Sequence, residues 1–170
     1  DRKWVLYEHL YNSYNKFLDE DIPTFLKTGE HIFYEKIVDN KIIKYKLVYD
    51  NINIKNPSDS NGKPLYPTDA RIKGITYASK LYCTITQIQE TKNILTGEIT
   101  TKIVGHPEKD YVIANIPIMM RSNFCSLHLY KDAILTNATT ECDNDPGGYF
   151  IVGGSEKVIL PQEKMCENKV

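Results

Sequence analysis

The sequence lacks the cysteine spacing of a zinc site or of a redox pair. Its four cysteines are widely separated and form no C-x-x-C pair; they are Cys83, Cys125, Cys142 and Cys166. We therefore predict free thiols. Cys125 and His128 form a C-x-x-H pair, but two ligands without a second pair are more typical of a packed thiol beside a hydrogen-bonded histidine than of a metal site.

The sequence also has no long apolar run and little excess charge. No run approaches the roughly 20 residues that a helix needs to span a bilayer. Free thiols are typical of a reducing compartment, so we predict an intracellular protein with no membrane partner. The formal net charge is −1, and only three of the 21 basic residues are arginines. A polycation that coats nucleic acid is thereby excluded, and any contact with nucleic acid must be local.

A recognisable catalytic motif is missing as well. There is no Walker loop and no G-x-S-x-G elbow. The acidic run of Asp19, Glu20 and Asp21 suggests a metal or acid–base site, but it directly precedes Ile22 and Pro23, so we expect it to cap a second short helix. We predict no catalytic residue, no metal site and no cofactor in this chain.

Length and periodicity predict one α+β domain over residues 1–170. A chain of 170 residues is long enough to enclose one hydrophobic core. Residues 4–18 carry apolar side chains at three- and four-residue spacing, which predicts an amphipathic helix with a buried stripe. The stripe comprises Tyr7, Leu10, Tyr11, Tyr14, Phe17 and Leu18.

Antiparallel sheet is predicted after this helix. Residues 31–38 and 41–55 alternate in hydrophobicity on either side of Asp39 and Asn40, as a hairpin requires, with a bulge or bend near Asp50. Three further strands and two short helices follow; they are predicted at 77–89, 99–104 and 111–120, and at 69–74 and 126–135. We expect Thr68 to cap the first of these helices and Pro117 to put the last strand on an edge.

The most informative stretch is the last one, residues 145–170. Two pairs of glycines flank a β-prone segment at 149–152; they are Gly147 with Gly148, and Gly153 with Gly154. The second pair is a strong signal for a tight hairpin turn, and Lys157 follows shortly after it. Spacing alone favours the simpler interpretation, a plain β-turn followed by a solvated ion pair between Glu156 and Lys157.

The whole string is more specific than its spacing. It resembles a G-x-F-I-I-N-G-S-E-K/R-V-x-x-x-Q pattern in the protrusion domain of the second-largest subunit of multisubunit DNA-directed RNA polymerases. The matching residues are Gly148, Phe150, Ile151, Gly154, Ser155, Glu156, Lys157, Val158 and Gln162.

Three further blocks occur in the order that this family requires. NIPIMMRSNFCSL at 115–127 looks like its I-P-I-M-x-R-S-x-x-C-x-L block, and LYPTDARIKGITYASKLY at 65–82 resembles a Y-P-x-x-A-R-L-x-x-L-T-Y-S block. SYNKFLDEDIP at 13–23 is a looser match. The resemblance covers roughly the whole chain, and it is strongest to the eukaryotic branch and to that of the large cytoplasmic DNA viruses.

The resemblance implies a scaffold at the active-centre cleft. In the family, the protrusion walls this cleft near the RNA–DNA hybrid, while the largest subunit holds the catalytic aspartates and Mg²⁺. By this resemblance Lys157, Gln162 and Lys164 are candidate nucleic-acid contacts. Structural roles are expected for the remaining motif residues, namely Gly147, Gly148, Gly153, Gly154, Ser155, Glu156, Arg71 and Arg121; the two arginines are expected to pack their stems and pair with carboxylates.

The resemblance also implies partners and a location. The expected partners are the largest subunit, the other polymerase subunits, the DNA template, the RNA–DNA hybrid and initiation factors. The expected compartment is the host cytoplasm or the virion for a viral protein, and otherwise the nucleus. Two alternatives remain open at this stage: a stand-alone β-rich interaction protein without a nucleic-acid role, and a single-strand binding module that stacks bases on its tyrosines.

Overall fold

The largest element of the fold is an antiparallel sheet of four strands. A computed structural model describes residues 7–29, 31–59, 61–129, 141–142, 144–160 and 162. The strands are β1 (His31–Val38), β2 (Lys41–Ile54), β3 (Ala78–Asn93) and β4 (Ile99–Pro117), and they are hydrogen-bonded in the order β1-β2-β3-β4. A separate hairpin pairs β5 (Phe150–Val152) with β6 (Ser155–Lys157). Together with the helices, these strands confirm the predicted α+β class.

The N-terminal helical region is continuous where two helices were predicted. Helix α1 (Glu8–Lys16) runs through a π-helical turn (Phe17–Asp21) into α2 (Ile22–Thr28). The predicted capping role of the acidic run is therefore wrong. Asp21 has helical backbone angles and makes no side-chain capping hydrogen bond. The wider π turn lets the chain continue where a break was expected.

The apolar stripe of α1 is buried only in part. Tyr14 and Leu18 are buried, and Leu10 and Tyr11 are half-buried. Tyr7, which immediately precedes the helix, is exposed. Phe17 is exposed as well; it begins the π turn, where the helix face rotates relative to an ideal α-helix. The four-residue spacing from Tyr14 through Leu18 to half-buried Ile22 carries the contact with the core.

The turns of the main sheet follow the sequence closely. Asp39 and Asn40 both have positive φ, 47° and 59°, as the turn of a two-residue hairpin requires. The predicted bulge is confirmed by a register shift between Asp50 and Asn53. The predicted strands 99–104 and 111–120 instead form one long strand, β4, whose pairing with β3 shifts register several times. Pro117 ends β4, which is an edge strand as predicted.

Helix α3 (Pro67–Lys73) begins two residues earlier than predicted. Thr68 does not cap it, because Pro67 opens the helix and the Thr68 hydroxyl hydrogen-bonds Oε1 of Glu141 instead, at 2.5 Å. The helix ends at Gly74, which adopts the left-handed conformation. The helix predicted at 126–135 is a single 3₁₀ turn (Ser126–Leu129) in its described part.

The hydrophobic core lies where α1, α3, β5 and the segment after β4 meet. Its fully or nearly buried members are Tyr14, Leu18, Leu65, Ala70, Tyr77, Ile118, Met119, Met120, Cys125, Leu127 and Ile151. Three of the cysteines confirm the prediction of free thiols, with Cys83 and Cys125 buried and Cys142 exposed. Cys166 lies outside the described residues.

Candidate functional site

The candidate site is built around the glycine turn of the β5–β6 hairpin. Gly153 and Gly154 have φ values of 58° and 78°, and a left-handed backbone at both central positions is the mark of a type I′ turn. Phe150 pairs with Lys157, and Ile151 pairs with Glu156. Because side chains alternate along a strand, one face of the hairpin carries Ile151 and Glu156, and the opposite face carries Phe150 and Lys157.

The first face of the hairpin lies on the end of helix α3 and the residues that follow it. The Gly154 N–H donates to the Ile75 carbonyl at 3.1 Å, and the Tyr77 N–H donates to the Ile151 carbonyl at 2.9 Å. A Cβ atom at Gly154 would lie 2.8 Å from Cα of Gly74. The turn therefore fits against α3 only because position 154 has no side chain.

Arg71 connects this hairpin to two other parts of the fold. Its Nε donates to Glu156 Oε1 at 3.0 Å, and its Nη1 donates to both carboxylate oxygens of Glu141 at 2.9 and 3.0 Å. Its Nη2 donates to the Tyr149 hydroxyl at 2.7 Å. One planar guanidinium thus holds three partners, which is the bonding pattern that its fork of donors allows.

Burial makes the Arg71–Glu141 pair more than a surface contact. The side chain of Glu141 is 6% exposed and that of Arg71 is 26% exposed, whereas Glu156 is 56% exposed. Burial alone acts to lower the pKa of Arg71, but hydrogen bonding to Glu141 and its negative charge outweigh burial and raise the pKa above its ordinary value. Arg71 therefore stays charged and bonded to Glu141.

The first glycine pair leads the chain into this network. Gly147 has a φ of 70°, and a Cβ atom there would lie 2.6 Å from the Met120 carbonyl oxygen. The Gly147 N–H donates to Asp145 Oδ1 at 2.9 Å, and the Tyr149 hydroxyl donates to Asp145 Oδ2 at 2.5 Å. Burial, together with the Asp145 carboxylate, raises the pKa of Tyr149 well above its usual range. The neutral hydroxyl can thus accept from Arg71 and donate to Asp145 at once.

The second face of the hairpin borders an open groove against helix α1. We call this cavity of about 630 Å³ the α1–hairpin groove; its apolar walls include Leu10, Phe17, Ile116, Phe150, Val158 and Ile159. Asp21 and Lys157 are the charged residues that line it. The Phe150 ring meets the Tyr14 ring edge to face at 5.5 Å. The residues Val158, Ile159 and Leu160 are 63%, 69% and 73% exposed.

Two of the three predicted contact residues, Lys157 and Gln162, lie within the described part of the chain. Lys157 is exposed on β6 beside the groove, and Gln162 is exposed after the hairpin. Lys164 lies outside the described residues. Glu156 does not form the solvated pair with Lys157 that spacing allowed, because it bonds Arg71 instead. Arg121 has a φ of 65°, and its Nη2 donates to the Cys142 carbonyl at 3.0 Å.

Sequence reasoning missed the residues that complete the Arg71 network. The sequence pattern assigned no role to Glu141 or Asp145, and it placed Tyr149 only in a β-prone segment. Glu141 is 70 residues from Arg71 in the sequence. No local pattern marks a pairing over that distance, although an arginine inside an apolar block indicates that some carboxylate partner exists.

Four of the described tyrosines that the sequence places at core-facing spacings are not available as a stacking platform. Tyr14 is buried, and Tyr11, Tyr45 and Tyr49 are half-buried. Tyr11 and Tyr14 donate to the backbone carbonyls of Pro146 and Pro117. This placement disfavours the single-strand binding alternative, which requires accessible ring faces.

Within the described residues, no group of three or more His, Cys, Asp or Glu side chains is close enough together to hold a metal ion. Nor does any helix in the described ranges have the length and apolar character to cross a membrane.

Comparison with known proteins identifies the class. A family model described as RNA polymerase beta subunit matches residues 5–166. The chain therefore belongs to the RNA polymerase beta subunit family, and it is part of the second-largest polymerase subunit. The resemblance noted in the glycine-rich motif is thereby confirmed.

Individual relatives come from a virus, a eukaryote and an archaeon. The chain is 45% identical over 168 residues to DNA-directed RNA polymerase subunit 2 of Acanthamoeba polyphaga mimivirus, covering 98% of this chain and 14% of that protein. It is 34% identical to DNA-directed RNA polymerase III subunit RPC2 of Saccharomyces cerevisiae, covering 99% and 13%. It is 30% identical to subunit Rpo2N of Methanothermobacter thermautotrophicus, covering 99% and 30%. The chain thus spans less than a third of the length of each relative.

Proposed function

We propose that this chain is the first segment of the protrusion domain and forms a wall of the nucleic-acid cleft near the RNA–DNA hybrid of a DNA-directed RNA polymerase. The observation that carries the proposal is the presentation of Lys157. This lysine is exposed, and it is the last residue of β6 in a hairpin that is held by backbone hydrogen bonds and by the Arg71–Glu156 bridge. A lysine ammonium on a fixed strand is suited to a phosphate contact.

Gln162 is the second proposed contact. It is exposed, and an amide side chain can bond to sugar or base edges. Lys164 remains a proposed contact by family resemblance alone. One or two such contacts modulate affinity but do not create it, because each neutralised phosphate adds only about one unit to the salt dependence of binding.

Nucleotidyl transfer is proposed for the assembled polymerase and not for this chain alone. The partners in this proposal are the largest subunit, which would hold Mg²⁺ and the catalytic aspartates, the other subunits, template DNA, the RNA–DNA hybrid and initiation factors. The setting is intracellular: host cytoplasm or virion if the protein is viral, and otherwise the nucleus. No residue of this chain takes part in the chemical step in this proposal.

The protrusion is proposed to be completed by chain that follows residue 170 in the full subunit. Three consecutive exposed apolar residues, Val158, Ile159 and Leu160, support this proposal, together with the open α1–hairpin groove beside them. Apolar surface of this kind is normally covered by another chain segment or a partner.

The test replaces Lys157 with Ala in the full-length subunit of the assembled polymerase. The stability of elongation complexes is then measured as a function of salt concentration. We expect the salt dependence to fall by about one unit. The matched control is Lys102→Ala, which removes an exposed lysine from the far end of β4. Equal salt profiles for the Lys157 variant and the wild type would refute a phosphate contact and favour an interaction role without nucleic acid.

A further inference from the structure

We propose that Arg71 is a positioning residue for Lys157. By holding Glu156 and tying it to the buried Glu141, Arg71 fixes strand β6 and so determines where the Lys157 ammonium meets a phosphate. This inference rests on the proposed function, because it takes Lys157 as the contacting group. It adds a residue of the 65–82 block, distant in sequence, to the same site.

The hairpin needs such support because it is short. β5 and β6 form only three residue pairs, and an isolated two-stranded hairpin is marginally stable in water. The turn and β5 are attached to the segment after α3 through the amides of Gly153 and Gly154 and the carbonyl of Ile151. β6 is attached to α3 through Glu156.

Glu156 and Lys157 are neighbours on β6, so the hydrogen bond from Arg71 to Glu156 also affects Lys157. Glu156 and Lys157 project to opposite faces of the strand. Their Cα atoms lie about 3.8 Å apart across one trans peptide. A guanidinium that holds Glu156 on the α3 side thus holds Lys157 on the groove side. Release of Glu156 would let β6 move and carry Lys157 with it.

The other partners of Arg71 keep the guanidinium in place. Glu141 receives two hydrogen bonds and is nearly fully buried, and Tyr149 receives one. The Nε atom is then directed at Glu156. A lysine at position 71 would keep the charge but could not bond Glu141, Tyr149 and Glu156 in one plane, because an ammonium lacks the rigid fork.

The experiment uses the assembled polymerase with the full-length subunit. Arg71→Ala, Arg71→Lys, Lys157→Ala and the double Arg71→Ala/Lys157→Ala variant are compared on an RNA–DNA hybrid scaffold. The readout is the slope of log affinity against log salt concentration. We expect Lys157→Ala to lower the slope by about one unit and Arg71→Ala to lower it by a similar amount. Arg71→Lys should fall between Arg71→Ala and the wild type, and the double variant should match Lys157→Ala alone.

Each departure from this pattern has a distinct meaning. If Lys157→Ala leaves the slope unchanged, the proposed function fails and this inference fails with it. If Lys157→Ala lowers the slope and Arg71→Ala does not, only the positioning role fails, and Arg71 acts on stability alone. If the two effects add in the double variant, Arg71 contacts phosphate directly, which also overturns the proposal.

Two glycine variants provide a second test, which applies if the subunit with Arg71→Ala does not assemble into the polymerase. Gly154→Ala would place a Cβ atom against Gly74, whereas Gly153→Ala has the same left-handed backbone but meets nothing within 4 Å. We expect Gly154→Ala to lower the salt slope more than Gly153→Ala does. Equal slopes for the two variants would show that the fit of the hairpin on α3 does not control Lys157.

Discussion

The Nη1 atom of Arg71 lies 2.9 Å from Oε1 of Glu141, across 70 residues of sequence. The same guanidinium reaches Glu156 on β6. Helix α3, the segment that leads into the glycine motif and the hairpin itself are therefore joined at one side chain. Arg71 itself lies outside the glycine motif that identifies the family, yet its hydrogen bonds to Glu156 and Glu141 hold that motif in place.

Removal of the Arg71 side chain should lower the free energy of unfolding. Arg71→Ala leaves the buried Glu141 carboxylate without its cation, and we expect a loss of about 2 kcal/mol in the free energy of unfolding, because the pair is partly exposed and so less costly to break than a fully buried one. Chemical denaturation measures this loss in the free energy of unfolding. Lys44→Ala, which breaks the exposed pair with Glu35 at 3.9 Å, should cost less than about 0.5 kcal/mol. Equal losses would contradict the assigned importance of burial.

The sequence predicts features that depend on neighbouring residues better than features that depend on residues distant in the chain. The turns at Asp39–Asn40 and Gly153–Gly154 were predictable because a left-handed backbone selects glycine, asparagine and aspartate over short range. The roles of Thr68 and of the acidic run at Asp19, Glu20 and Asp21 were not predictable from the sequence. The Thr68 hydroxyl bonds Glu141, and the helix continues through Asp21 by a π turn. Both outcomes depend on tertiary contacts that outweigh local preference.

The same distinction applies to the candidate site. The hairpin and the position of Lys157 shortly after its glycine turn follow from residues that are close in sequence. The partners of Arg71 come from a different segment, so spacing could indicate that a carboxylate exists but not that it is Glu141. The role of Lys157 in nucleic-acid binding stays a prediction.

The first glycine pair offers a second stability test. A Cβ atom at Gly147 would lie 2.6 Å from the Met120 carbonyl oxygen, whereas one at Gly97, with a similar φ of 72°, meets nothing within 4 Å. Both alanine variants carry the cost of a left-handed backbone, about 1–2 kcal/mol. We expect Gly147→Ala to cost about 1–3 kcal/mol more, from the clash. Equal denaturation midpoints for the two variants would count against the close approach.

Alkaline pH should destabilise the fold through its tyrosines. Burial is the main reason that the pKa is raised for Tyr11, Tyr14, Tyr77 and Tyr149. A group with a raised folded pKa contributes stability that is complete below its unfolded pKa, about 10, and that is lost as pH rises above it. Each group should therefore steepen the loss by up to about 1.4 kcal/mol per pH unit above pH 10.

Absorbance at 295 nm and denaturation between pH 8 and 11.5 measure this effect. Tyr77→Phe removes one buried hydroxyl and should make the decline above pH 10 shallower than the control variant Tyr34→Phe does, which changes a residue that is 53% exposed. Ionisation of all twelve tyrosines near pH 10 without loss of structure would disprove the prediction.

The two buried cysteines should not react with thiol reagents in the native state. In a Cys142→Ser/Cys166→Ser variant, the remaining thiols are Cys83 and Cys125, both buried. Burial raises the pKa of Cys83, and a protonated buried thiol is a poor nucleophile. We expect no reaction with a disulfide reagent at pH 7.5 until denaturant is added. Rapid reaction in the native state would show that the core opens locally.

The most direct test of the central claim is site-specific crosslinking from position 157. A photoreactive residue replaces Lys157 in the full-length subunit of the assembled polymerase, and a matched enzyme carries it at Lys102. Each enzyme is then irradiated on a labelled RNA–DNA hybrid. We predict label transfer to the subunit from position 157 and none from position 102. Absence of transfer at 157, or equal transfer at both positions, would contradict the placement of this hairpin at the nucleic-acid cleft.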